Sequence, residues 1–224
     1  MVELSRRRVL LLPVASLLGT VFSSSVASSS EPSGVEIVPL GGAQGEAEVR
    51  AVVDAIGAFF TVPVAMREPL DLPKAAYYPP RGRYRAERLL EFLAANVTTR
   101  AHVALGLTTV DISTTKGRIA DWGILGLATL DGRSAVLSSF RCRRGAPDAS
   151  HARERFAKTA VHELGHSFGL PHCATPGCLM HDGEGSVLTS DREADFCAST
   201  RARLAAAGVL RAGAVSPFTM PKSG

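Results

Sequence analysis

The stretch His162-Glu163-Leu164-Gly165-His166-Ser167-Phe168-Gly169-Leu170-Pro171-His172 constrains this chain more than any other part of it. It reads H-E-x-x-H-x-x-G-x-x-H. Histidines four apart lie on one face of a helix, one turn from each other, so both imidazoles can reach a single metal ion. Gly169 falls three residues after His166, where a helix ends in the left-handed conformation that glycine adopts at little cost. Pro171 then blocks resumption of the helix, and the turned chain can return His172 as a third ligand. Three histidine nitrogens leave the fourth position of a tetrahedral zinc open for water, the arrangement of a catalytic site. Glu163 projects beside them, where its carboxylate can take a proton from that water. Gly165 taken alone has a plainer reading, as a small residue that lets a neighbouring strand pack closely.

With 224 residues, nearly half of them hydrophobic and 21% charged, the chain fits one domain with a substantial core and is neither disordered nor fibrous. The formal charge is +4, but three arginines and one glutamate lie in the first 27 residues; what remains holds 22 basic and 20 acidic residues. A net +2 without a basic stripe interleaved with aromatics gives no reason to expect nucleic acid as a partner. The leader itself is informative. Ser5-Arg6-Arg7-Arg8 precedes an apolar run to Phe22, and Ser23-Ser24-Ser25-Val26-Ala27 follows. A charged start, a short apolar stretch and small residues at the end describe a signal peptide over 1–27, cleaved after Ala27. The paired arginines resemble a twin-arginine signal, so export to the periplasm or the exterior is expected. The apolar run is short for a membrane span. A serine-rich linker over 28–33 should follow.

Periodicity then outlines a domain over 34–210. Strands are expected over 35–40 and 61–66, the second at an edge because of Pro63. A helix over 46–60 lies between them, with Val49, Val52, Val53, Ile56, Phe59 and Phe60 at helical spacing. A proline-rich loop over 72–83 leads to a helix over 86–97 and a strongly apolar strand over 102–110, with His102 at its start. Asp111 reads as a turn residue. Apolar runs over 124–128 and 134–140 flank Asp131-Gly132, a hairpin signal. Arg141, Arg143 and Arg144 read as a solvated loop. The metal-bearing helix should begin near Ser150 and bury Ala157, Val161, Leu164 and Phe168. A last helix is expected from Ser190, with Ser190-x-x-Glu193 as a capping box, to about Gly208, and 211–224 as a tail. Strands alternating with helices, followed by a hairpin, predict an α/β fold whose mixed sheet has one antiparallel edge strand.

Cysteines extend the motif. Cys173 follows the third histidine, Cys178 comes after four residues, Met180 stands two further on, and Cys197 lies beyond. This arrangement, H-E-x-x-H-x-x-G-x-x-H-C-x₄-C-x-M with a later cysteine, resembles the archaemetzincin family of metalloproteases. The resemblance is tight over 161–180 and continues through Asp191-Arg192 to Cys197. It implies a zincin-type, metzincin-like domain with a mixed sheet over the active-site helix, and a methionine turn beneath the metal, carried by Met180. It also implies a second, structural zinc on four cysteines, the last two as C-x-x-C. Cys173, Cys178 and Cys197 match the first three, whereas Thr200 stands at the fourth position and is not a normal zinc ligand. Cys142 or His181 could substitute; otherwise the thiols pair as a disulfide or stay free.

The resulting expectation is an exported, monomeric zinc metallopeptidase acting on peptides or proteins, with His162, His166 and His172 on zinc and Glu163 as general base. A peptide could add to the strand over 134–140, taken as the sheet edge. The competing expectation is a zinc-stabilised binding module without turnover, which would have no need of Glu163. Replacing Arg6 and Arg7 together by lysine is expected to leave uncleaved precursor in the cytoplasm; cell fractionation checks this, and normal export of the double variant would exclude the twin-arginine route.

Overall fold

Short apolar segments build the central sheet. The computed structural model describes residues 34–97 and 103–219; the expected signal peptide over 1–27, the expected linker over 28–33 and His102 lie outside the described residues. In order, the elements are β1 (Val35–Leu40), α1 (Glu46–Phe59), β2 (Val64–Met66), β3 (Tyr77–Tyr78), β4 (Arg83–Arg85), α2 (Ala86–Asn96), β5 (Val103–Thr108), β6 (Ile112–Lys116), β7 (Ile119–Ile124), β8 (Gly126–Ala128) and β9 (Ser134–Ser138). Four helices follow: α3 (Ser139–Cys142), α4 (Ala149–Ser167), α5 (Val187–Ser190) and α6 (Ala198–Ala206).

The main sheet has the order β2-β1-β5-β9-β8. Its first four strands are parallel, and β8 closes it as the antiparallel edge, paired Gly126 with Leu137 and Ala128 with Ala135. This is the mixed α/β fold expected. One strand is misplaced by the sequence reading, however: β9 lies inside the sheet, between β5 and β8, so the strand over 134–140 is not the edge. All five of its residues are buried, the pattern of a strand covered on both faces. Val35 and Ile37 of β1 and Leu105 of β5 pack with α1 and α4, whereas Val38, Leu40 and Val136 pack on the other face against Leu89 and Leu93 of α2.

A second sheet, β3-β4-β6-β7, comes from the stretch read as loop and from residues with no clear period. Its β6–β7 hairpin turns at Gly117, which has φ +57°. Asp111 ties this sheet to the rest, and the reading of it as a turn residue is corrected. It is buried, with one carboxylate oxygen 2.7 Å from Arg141 Nε and the other 2.7 Å from Arg83 Nε. Arg83 also reaches Asp121 at 2.8 Å. Arg141 is therefore a half-buried anchor, while Arg143 and Arg144 remain exposed.

Two further differences lie near the C-terminus. Ser190 ends α5 instead of capping a helix, and α6 begins only after Cys197, because Glu193 and Phe196 turn inward and are buried. The segment from 211 packs against α1 as far as it is described: Arg211 N donates to Phe59 O at 2.8 Å, and the Phe218 ring lies 6.1 Å from that of Phe59.

Removing a carboxylate that neutralises two nearly buried guanidinium groups leaves uncompensated charge. Asp111→Ala is expected to destabilise the protein by about 3 kcal/mol, read as a lowered urea midpoint at unchanged m-value.

Candidate metal centre

Helix α4 carries the motif, and both of its ends are set by local chemistry. Asp148 caps it, accepting from His151 N at 2.8 Å. At the other end Gly169 has φ +83°. Its N–H donates to His166 O, and Leu170 N donates to Gly165 O, both at 2.9 Å, the paired bonds of a Schellman ending. The stop expected at Gly169 is thus a defined hydrogen-bonded turn.

That turn brings the Leu170 carbonyl under His166, which donates to it from Nδ1 at 2.7 Å. His162 donates from Nδ1 to Leu179 O at 2.6 Å. A carbonyl can only accept, so each Nδ1 carries a proton. Burial, reinforced by the neighbouring imidazoles, pushes His162 down to about 3, and burial also lowers His166. Both rings are therefore neutral near pH 7, and each Nε2 is a bare lone pair. These two nitrogens lie 3.1 Å apart, a repulsive contact unless a cation sits between them. Two nitrogens on one tetrahedral zinc, at bonds of about 2.0–2.1 Å, would be about 3.3 Å apart. The His172 ring centroid is 4.7 Å from that of His166 and 5.4 Å from that of His162. One ring nitrogen from each of the three lies within 4.8 Å of the others. The three predicted ligands are brought together, and the donor set fits zinc.

Glu163 is buried beside them. Burial pushes its carboxyl up to about 8; a dication on the adjacent histidines opposes that shift. Directly above it passes β8. A Cβ on Gly126 would lie 2.5 Å from Glu163 Oε1, so only glycine lets the edge strand approach this closely. The sequence reading passed over Gly126, although glycine inside a strand is a known mark of close approach. Below the centre, Met180 is fully buried against Gly165, where any Cβ would run into its sulfur. Gly165 thus makes room for Met180 and not for a strand. Cys173 N donates to Met180 O at 2.7 Å and Leu179 N to Asp195 O at 2.8 Å, which fixes the carbonyl that orients His162.

Together these walls enclose a cleft of about 560 Å³, bounded by β8 on one side and by residues 181–185 on the other. Its wall one turn before His162 is made by Lys158, Thr159, Ser190 and Glu193. Arg155 anchors that wall through two 2.7 Å bonds to Asp191, and its guanidinium holds the Asp191 carboxyl below the usual range.

The sulfurs of Cys173, Cys178 and Cys197 form a second cluster within 4.8 Å of one another. Cys173 and Cys197 Sγ are 3.6 Å apart, beyond a disulfide bond of about 2.05 Å and close to the roughly 3.8 Å between two sulfurs on one tetrahedral zinc. Thr200 occupies the fourth corner, its hydroxyl 3.2 Å from Cys197 Sγ and 3.5 Å from Cys178 Sγ. Burial works against ionisation of Cys197, yet hydrogen bonds from Ser199, Thr200 and Cys173 outweigh it and bring the thiol down to about 5. Neither proposed substitute joins this cluster. Cys142 is buried at the end of α3, its thiol pushed up to about 12 by burial. His181 instead lines the histidine cleft.

Peptidase family M54 matches residues 48–206, a span that contains both clusters. The archaemetzincin of Haloquadratum walsbyi is 30% identical over 173 residues, covering 74% of this chain and 95% of that protein. Among solved structures, the crystal structure of archaemetzincin from Methanopyrus kandleri is similar with a TM-score of 0.66 at 28% identity, over 80% of this chain and 98% of that one. The archaemetzincin of Archaeoglobus fulgidus, crystallised with malonate, has a TM-score of 0.64 at 30% identity, over 76% and 99%.

The thiol cluster yields a direct expectation. The mature protein should hold about two zinc ions by elemental analysis, and Cys197→Ser should lose one of them together with stability. Thr200→Cys should make the second ion harder to strip with chelator. A single zinc in the parent, with Cys173 oxidised, would mark the cluster as a disulfide site.

Proposed function

The chain belongs to the archaemetzincins, peptidase family M54, and on that premise we propose that it is an exported zinc-dependent peptidase working at the three-histidine centre. The observation that carries this reading is the pair of unprotonated Nε2 atoms 3.1 Å apart, with His172 and the buried Glu163 beside them. Zinc bound there would polarise the scissile carbonyl and acidify an attacking water.

The chain's own residues supply the rest. Backbone carbonyls of Leu170 and Leu179 hold two imidazoles in the tautomer that leaves Nε2 free, and so raise their basicity as ligands. Glu163 takes the proton of the attacking water and delivers it to the departing amine. Its burial keeps bulk water from competing for that proton. The free edge of β8 offers unpaired backbone groups beside Glu163, so an extended peptide can lie along β8 by strand addition. This assigns the substrate edge to residues 126–128 in place of the interior β9.

A zinc-stabilised binding module without turnover is the second reading. The buried carboxylate beside the histidines speaks against it, because a purely structural centre gains nothing from holding an acidic group out of water. Export rests on the arginine pair and the small-residue cleavage site.

Two variants separate chemistry from coordination. Glu163→Gln keeps shape and removes the proton acceptor, so zinc content should be unchanged while peptide hydrolysis falls roughly 10²–10⁴-fold. His166→Ala should lose the histidine-bound metal itself, since two ligands rarely suffice. If Glu163→Gln hydrolyses the best available peptide as fast as the parent at equal zinc content, the binding-module reading stands in its place.

A further inference from the structure

The cleft extends past what the metal centre needs. One turn before His162 it is walled by Lys158 and Thr159 of α4 and, opposite, by Ser190 and Glu193. Glu193 is 6% exposed, and its Oε1 is buried without a hydrogen-bond partner. A carboxylate oxygen held out of water with nothing to accept from is a costly arrangement that a fold keeps for a reason. The nearby donors already have partners of their own. Lys158 Nζ pairs with Glu154 at 2.7 Å and donates to Ser190 O at 3.2 Å. The Thr159 hydroxyl donates to Arg155 O at 2.8 Å. Glu154 neutralises Lys158, so the charge this wall can present to a visitor is that of Glu193. The main chain at Glu193 is held in place: it stands two residues after Asp191, which Arg155 grips with two bonds, and its own N–H donates to Thr189 O.

We propose that this end of the cleft is a side-chain pocket, and that Glu193 is its specificity-determining residue, accepting hydrogen bonds from the lysine or arginine side chain of a peptide bound across the metal centre. The inference rests on the peptidase reading and adds to it the class of substrate. A pocket built around one buried acceptor favours the ligand that satisfies it and rejects an apolar isostere, because the isostere leaves the acceptor unpaired. Burial pushes the Glu193 carboxyl up to about 8, with Lys158 opposing. The empty pocket thus holds the group largely uncharged near pH 7, and an entering cation draws the proton off and completes an ion pair.

The test uses the zinc-loaded mature protein and peptide sets that differ at one position, lysine, norleucine or glutamate, scanned across the sites flanking the scissile bond. At one fixed position the parent should prefer lysine over norleucine by at least about tenfold in kcat/KM. Glu193→Gln should lower kcat/KM for the lysine peptide about tenfold, chiefly through KM, and leave the norleucine peptide within about twofold. Should Glu193→Gln fail to fold, Glu193→Asp keeps the charge but withdraws it by one methylene, and should shrink the same preference. A parent that ranks the three peptides equally or prefers glutamate overturns the proposal. So does a Glu193→Gln that slows lysine and norleucine peptides in proportion at unchanged zinc content. If no peptide is cleaved, the peptidase reading fails on its own, and the pocket is judged by fluorescence anisotropy of the labelled peptides on the same protein. Lysine-selective binding lost in Glu193→Gln then supports the pocket, and equal binding overturns it.

Discussion

Two hydrogen bonds from imidazole to backbone carbonyl govern the rest of this structure. His166 to Leu170 O and His162 to Leu179 O each fix a tautomer, and each turns a lone pair toward the same point. Neutral histidine is ambiguous by itself, since either ring nitrogen can hold the proton. Here the ambiguity is removed by the main chain, which titrates nowhere in the working range and cannot rotate away. The Leu170 carbonyl is in place because Gly169 takes a left-handed turn; the Leu179 carbonyl is in place because the chain around it is clamped on both sides, by Cys173 and by Asp195.

The thiol cluster reinforces that clamp. Cys173 and Cys178 bracket the loop leading to Met180, and Cys197 sits at the start of α6. Whatever joins these three sulfurs holds the Leu179–Met180 loop to α6, and so acts on the orientation of His162 without touching it. Thr200 at the fourth corner keeps the geometry of the cluster but offers a neutral hydroxyl in place of a thiolate. Zinc bound there would carry less negative charge from the protein than a four-thiolate site provides, and would exchange faster.

Ionic anchors hold the two walls of the cleft in a comparable way. Asp111 binds Arg83 and Arg141, joining the small sheet to α3. Arg155 joins α4 to the segment that carries Ser190 and Glu193, and its Nη1 donates to the carbonyls of Cys142 and Arg144. Removing one partner from such a set leaves a buried charge unpaired, so the walls resist being moved apart. Between them, the edge strand comes close enough to Glu163 that only Gly126 fits. The Glu163 carboxylate and the outer strand of the sheet are thereby brought within a few ångströms of each other.

The central helix was legible in the sequence because its determinants are local. Histidine spacing, the glycine stop and the proline after it act within one or two turns, and so do the apolar runs that mark β1 and the β8–β9 hairpin. The family pattern of cysteines likewise points to a cluster from the sequence alone. What escaped depends on partners distant in the chain. Asp111 resembles a turn aspartate until Arg83 and Arg141 are brought to it from 28 and 30 residues away. Glu193 fits a capping box until Phe196 and Glu193 turn inward and α6 starts later. Strand order within the sheet, which put β9 inside and β8 at the edge, is decided by which strand pairs with β5, and no spacing along the chain encodes it. The sequence by itself determined which three histidines cluster and the register of two of them, His162 and His166, on one helix, since helical geometry converts spacing into direction. Only the tertiary structure decided which carbonyls lock them, which strand forms the edge of the sheet and which acid faces the cleft, because those are contacts between segments whose separation in sequence carries no information about their distance in space.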